Sequence, residues 1–129
     1  MYSPQLLDHF HRPRHHRELP EPDAAGEARY PPCGDRLRLT LQIQEGRLTA
    51  VGFTAFGCGA AKAAGSAACE LLLGMSEQQA RNLSVFTLDE ALGGLPPAKR
   101  HALWMVLECL HEALGPRDSD SPETPDPTE

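Results

Sequence analysis

Four residues in three short motifs carry whatever chemistry this chain can do. Pro31-Pro32-Cys33-Gly34-Asp35 sets a thiol in a proline-stiffened loop with a carboxylate two residues on, so one loop can aim a sulfur and an oxygen at a single point. Phe56-Gly57-Cys58-Gly59 places a second thiol between two glycines where a strand hands over to a helix. Glycine admits positive φ there, and the positive end of the helix faces the sulfur. That environment predicts a thiolate, the form that ligates metal or attacks sulfur. His101 lies one turn into the last helical segment, on a polar side with Trp104 and Glu108, and taken alone reads as a solvated histidine. Each loop taken alone also fits a turn with an incidental cysteine; two loop thiols beside one hairpin are the stronger signal.

The remaining candidates point away from chemistry. Cys69 and Cys109 sit inside apolar helical segments and read as core thiols. His9, His11, His15 and His16 crowd together as a metal-binding patch would, but Arg12, Arg14 and Arg17 among them repel a cation, and no thiol or carboxylate cluster completes a site.

The positioning elements follow from punctuation and period. Ser3-Pro4 opens a helix that Pro13 ends near Arg12, with Leu6, Leu7 and Phe10 on one face. Leu37, Leu39, Leu41 and Ile43 alternate with polar residues, Glu45-Gly46 turns the chain, and Val51, Phe53 and Ala55 alternate again, so 35–56 reads as a hairpin. An alanine-rich helix then runs to Gly74. Ser76-Glu77-Gln78-Gln79 and Thr87-Leu88-Asp89-Glu90 both read as capping boxes. The last helix is expected from Pro96-Pro97 to about Leu114, with Leu103, Val106, Leu107, Leu110 and Leu114 on its apolar face. The sum is an α+β domain with a small antiparallel sheet under helices.

Size and charge bound the rest. At 129 residues and 14.1 kDa the chain holds one core. Six of its twelve prolines fall at 4–32 and none at 33–95, which puts the compact part at about 26–114 within a domain of 1–114. Residues 115–129 are acidic, proline-rich and without a large apolar side chain, and read as a disordered tail. The net charge is −6, but the body to residue 114 carries 13 acids against 11 bases, no footprint for nucleic acid. No stretch reaches the ~18 apolar residues of a membrane helix and no secretory leader is evident, so a soluble cytoplasmic protein is expected. Four widely spaced cysteines make no disulfide framework.

Taken in order, the motifs resemble the IscU/NifU-type iron–sulfur cluster assembly scaffold over about residues 2–114. The likeness is carried by Tyr2-Ser3, Asp8-His9-Phe10 with Pro13-Arg14, Pro32-Cys33-Gly34-Asp35, Phe56-Gly57-Cys58-Gly59 with Ala61 and Ala63, and Leu95-Pro96-Pro97-Ala98-Lys99-Arg100-His101. Lacking an insertion between the Cys58 helix and Leu95, the chain looks more like the IscU branch than the zinc-dependent SufU branch. The resemblance implies an IscU/SufE-like fold with a three-stranded antiparallel sheet. It also implies that Cys33, Asp35, Cys58 and His101 bind a [2Fe-2S] cluster, Zn²⁺ or Fe²⁺, which overturns the solvated reading of His101. By the same resemblance Leu95, Pro96, Pro97, Ala98 and Lys99 dock an Hsp70-type chaperone. One departure stands out: the family has cysteine directly after the histidine, a ligand and in the IscU branch the main persulfide acceptor, where this chain has Ala102. Cys109 cannot replace it, because seven residues of helix rise about 10 Å. Of the serines usual behind the second cysteine, two positions hold Ala64 and Gly65, and Ser66 is kept.

Two thiolates, an imidazole and a carboxylate still make four donors, enough for a tetrahedral zinc or ferrous ion and for a more labile [2Fe-2S] cluster. The expectation is a scaffold or carrier that takes iron and sulfide, holds a transient cluster and passes it to apo iron–sulfur proteins. A cysteine desulfurase and the chaperone are its expected partners and Cys33 its candidate persulfide acceptor. The alternative is a degenerate scaffold acting as a Zn/Fe-binding adaptor or regulator of a desulfurase or chaperone. No acid–base pair or nucleophile triad apart from the cysteines is present, so turnover as an enzyme is not expected; persulfide relay is stoichiometric.

Overall fold

The computed structural model describes residues 2–118. The chain runs α1 (Pro4–His11), β1 (Ala24–Tyr30), β2 (Asp35–Gln44), β3 (Arg47–Phe56), α2 (Gly59–Leu72), α3 (Glu77–Arg81), α4 (Val85–Ala91) and α5 (His101–Leu114), with 3-10 turns at Pro31–Cys33 and Pro97–Lys99. The strands form one antiparallel sheet in the order β1-β2-β3, the expected α+β architecture.

The expected hairpin is present. Leu37, Leu39, Leu41, Val51 and Phe53 are fully buried on one face, each burial stabilising by roughly 1.5–3 kcal/mol. Glu45 and Gly46 both take positive φ, a turn whose twist matches that of paired strands. On that face lie the small side chains of α2 and the buried row Leu103, Val106 and Leu110 of α5, with Met105 and Cys109 beside it.

β1 has no hydrophobic alternation to announce it, since its sequence is AAGEARY. The reason is the closeness of α5: a Cβ on Gly26 would collide with the Cys109 carbonyl, so glycine stands there, and two residues on the buried position holds only Ala28. The compact part also begins earlier than residue 26. Ser3 caps α1, its Oγ accepting from Leu6 N at 2.9 Å, and Leu6, His9 and Leu19 are all buried.

Of three expected helix starts, one is met and two are refined. The Ser76–Gln79 capping box forms as read. The Thr87 box does not: Ser84 Oγ takes the amides of Phe86 and Thr87, so α4 starts one turn earlier and Thr87 lies inside it. The Pro96-Pro97 pair opens a 3-10 turn rather than the helix itself, and α5 starts at His101, which therefore stands at its first turn and not one turn in. The ordered body likewise passes residue 114. Arg117 donates to the Leu83 carbonyl at 2.6 Å, and Asp118 and Asn82 exchange two hydrogen bonds at 2.7 and 2.9 Å. The rest of the expected tail, 119–129, lies outside the described residues. Among the described residues no helix is long and apolar enough to cross a membrane.

Candidate metal centre

The site is built where both strand ends and two helix starts meet. Tyr30 closes β1 and pairs directly with Asp35, the first residue of β2, across the 3-10 turn that carries Cys33. Gly34 completes this turn in the left-handed region, lifting exposed Cys33 to the rim while Asp35 lies beneath at 1% exposure. From the other side β3 ends at Phe56, and Gly57, at φ +114, passes so close that a Cβ would collide with Asp35 Oδ1. Cys58 then caps α2 in extended geometry, half-buried.

Asp35 is the hub. Its Oδ1 accepts the Cys58 backbone N–H at 2.8 Å, and its Oδ2 accepts the Cys58 thiol at 3.0 Å and meets His101 Nε2 at 2.8 Å. A carboxylate only accepts, so the hydrogen of this last bond sits on Nε2. One donor atom each from Cys33, Asp35 and His101 lies within 4.8 Å of the other two, the one such group of potential metal ligands among the described residues. Cys58 stands beside that group and joins it through Asp35.

Burial pushes the Asp35 carboxyl up, but hydrogen bonds from Cys58 and His101 outweigh it and hold the group below its ordinary value. The Cys58 thiol moves the other way. Burial and the Asp35 acceptor raise it above the usual thiol range, and the amides of Ala60 and Ala61 at the start of α2 recover only part. The expectation of a thiolate at Cys58 is therefore corrected: the helix end is present, but burial and the carboxylate beside the sulfur outweigh it.

Of the four expected donors, Cys33, Asp35 and His101 converge and Cys58 is bonded to their centre. Ala102, next to His101, is fully buried and carries no donor. Cys69 and Cys109 are core thiols as read; burial pushes Cys69 up to about 12, and Cys109 donates to the Leu37 carbonyl at 3.3 Å. The histidine-rich segment serves packing rather than a metal site: buried His9 pairs its Nδ1 with Ser66 Oγ at 2.7 Å, and exposed His16 stacks on Phe53. In the segment 95–99, Pro97 and Ala98 are exposed and Lys99 half-buried, but Leu95 is 6% exposed and anchors the loop, its N–H on Asp89 Oδ1 at 2.8 Å. Leu95, expected with 96–99 as a docking residue, is thus buried. Missing from the sequence reading is Tyr30, whose ring stacks on His101 at 4.0 Å between centroids and 14° between planes. An aromatic just before Pro31-Pro32 was its only signal.

The family described as NifU-like N terminal domain matches residues 1–117. The chain is 42% identical over 115 residues to the bifunctional protein NifU/MnmA of Rubrobacter xylanophilus, covering 88% of this chain and 24% of that one. It is 37% identical over 115 residues to the iron–sulfur cluster assembly scaffold protein IscU of Aquifex aeolicus, covering 88% of this chain and 73% of the relative. In fold it matches the SUF-system scaffold protein FiSufU of Fervidobacterium islandicum AW-1 with a TM-score of 0.73 at 17% identity, over 88% of this chain and 96% of that one. A match across nearly every described residue places this chain in the NifU-like N-terminal domain family.

Proposed function

We propose that this chain is an iron–sulfur cluster assembly scaffold or carrier, with Cys33, Asp35, Cys58 and His101 holding iron and a transient [2Fe-2S] cluster as cargo. The observation that carries this reading is the convergence of donors from Cys33, Asp35 and His101 within 4.8 Å, with Cys58 tied to the same carboxylate. Sulfur, nitrogen and oxygen donors together suit a zinc or ferrous ion or a labile cluster. Cys33 is the sulfur-accepting thiol, because it is exposed on a turn while Cys58 is half-buried with its thiol hydrogen-bonded to Asp35. The donor of that sulfur is a cysteine desulfurase, and transfer is one event per protein rather than turnover.

An Hsp70-type chaperone grips the exposed part of 96–99. Lys99 lines a groove of about 220 Å³ with Tyr2, Leu6, Leu7, Phe10, Gly59 and Ala60, which couples this segment to the N-terminus of the Cys58 helix. A reducing compartment such as the cytoplasm suits four free thiols.

The second reading, a metal-binding adaptor that builds no cluster, is favoured by Ala102, which leaves two thiols at the site. Transfer separates the two. Protein loaded anaerobically with Fe²⁺, cysteine and a desulfurase is mixed with apo-ferredoxin, and ferredoxin absorbance is followed. The scaffold reading predicts holo-ferredoxin in proportion to loaded protein. Iron bound without any transfer selects the adaptor.

A further inference from the structure

We propose that Tyr30 is a positioning residue for His101, holding the imidazole by its face when a metal takes its ring nitrogen. This inference rests on the donor set proposed above. The ring is held twice: Asp35 bonds Nε2 at 2.8 Å, and Tyr30 stacks at 4.0 Å between centroids with the planes 14° apart. Both restraints come from one cross-strand pair, Tyr30 opposite Asp35, so the strand ends grip the imidazole by edge and by face. The side chain of His101 is left only 10% exposed.

The two restraints respond differently to loading. Nε2 is the nitrogen that points into the donor group, so a bound ion replaces the hydrogen bond that Asp35 now makes to it. A metal-ligating histidine is ordinarily kept in place by a partner on its other nitrogen. No hydrogen bond from Nδ1 to another described residue is present here. Stacking uses neither nitrogen and persists on loading. Tyr30 thus does by face contact what a carboxylate or carbonyl usually does by hydrogen bond, and it covers the ligand from solvent at the position neighbouring the missing thiol of Ala102.

The test uses the full chain loaded with Zn²⁺ alone, comparing the parent with Tyr30→Phe, Tyr30→Leu and His101→Ala. Release to a chromogenic chelator is timed, and the His101 ring protons are read by NMR in the metal-free and loaded states. An aromatic pair is worth a few-fold in an equilibrium, so Tyr30→Leu is expected to release zinc about fivefold faster and to lose the upfield ring-current shift of His101 in both states. Tyr30→Phe keeps the parent's rate and shift, which a loss of folding would not allow. Equal release by the parent and Tyr30→Leu, with His101→Ala faster than both, overturns the role of Tyr30 and leaves the donor set standing. Equal release by the parent and His101→Ala overturns the donor set, and with it this inference.

Discussion

The Cys58 thiol donates to Asp35 Oδ2 at 3.0 Å, the same carboxylate oxygen that His101 Nε2 meets at 2.8 Å. One buried oxygen therefore stores, in hydrogen bonds, two of the donors that a metal would collect. Asp35 is both a candidate ligand and a clamp on Cys58, whose thiol it raises together with burial.

Removing the clamp acidifies the thiol. In Asp35→Ala the raised titration of Cys58 falls toward the ordinary thiol value, since its acceptor and the neighbouring charge are gone. Alkylation of Cys58 near pH 8, resolved from Cys33 by peptide mass, is expected to accelerate about threefold, an order-of-magnitude figure for the loss of one carboxylate neighbour. An unchanged rate means the carboxylate does not govern this sulfur.

The same group ties stability to acid. Asp35 titrates below its ordinary 3.8 in the folded protein, so the unfolded chain binds the proton first as pH drops. Its stabilisation is complete above the unfolded value and is lost as pH falls through the lower folded value. Urea midpoints of the metal-free protein between pH 6 and pH 3 are expected to fall more steeply for the parent than for Asp35→Asn. Parallel curves contradict this.

Gly57→Ala strains the site twice, because φ is +114 and the new methyl meets Asp35 Oδ1. A loss of about 2 kcal/mol in urea unfolding is expected, with weakened Zn²⁺ retention. Full stability together with full retention would show that the strand end has room to shift.

How far the sequence led depends on what each residue had to do. The β2–β3 hairpin was legible because one buried face forces strict alternation, and the three donor loops because glycine and proline mark the places where backbone must bend around a polar group. β1 was hidden, since the closeness of α5 selects Gly26 and Ala28 in place of the large residues that signal a strand. Tyr30 was hidden for a different reason. Its partner His101 is 71 positions away, and a face-to-face contact leaves no periodic trace. The thiolate expected at Cys58 failed because the helix end was visible in the sequence while the burial of the sulfur and the packing of Asp35 against it were not.

Ala102→Cys restores a third sulfur beside His101 at a fully buried position. The variant is expected to raise cluster yield and to slow its loss to chelator about tenfold, the scale on which ligand sets alter retention. Unchanged lability would remove the missing thiol as the weak point.

Lys99→Ala is expected to weaken binding of the Hsp70-type chaperone by about tenfold in a fluorescence titration without altering metal content, the usual reach of one interface residue. Equal affinity contradicts docking on this segment, and a parallel loss of metal would place Lys99 in the site instead.

The most direct measurement is Mössbauer spectroscopy of the parent chain after anaerobic reconstitution with ⁵⁷Fe²⁺, cysteine and a cysteine desulfurase, alongside Cys33→Ser, Cys58→Ser and His101→Ala. The account predicts a diamagnetic [2Fe-2S] doublet in the parent and its loss or marked weakening in each variant. A parent that holds only high-spin ferrous iron, or a cluster signal indifferent to all three substitutions, would contradict it.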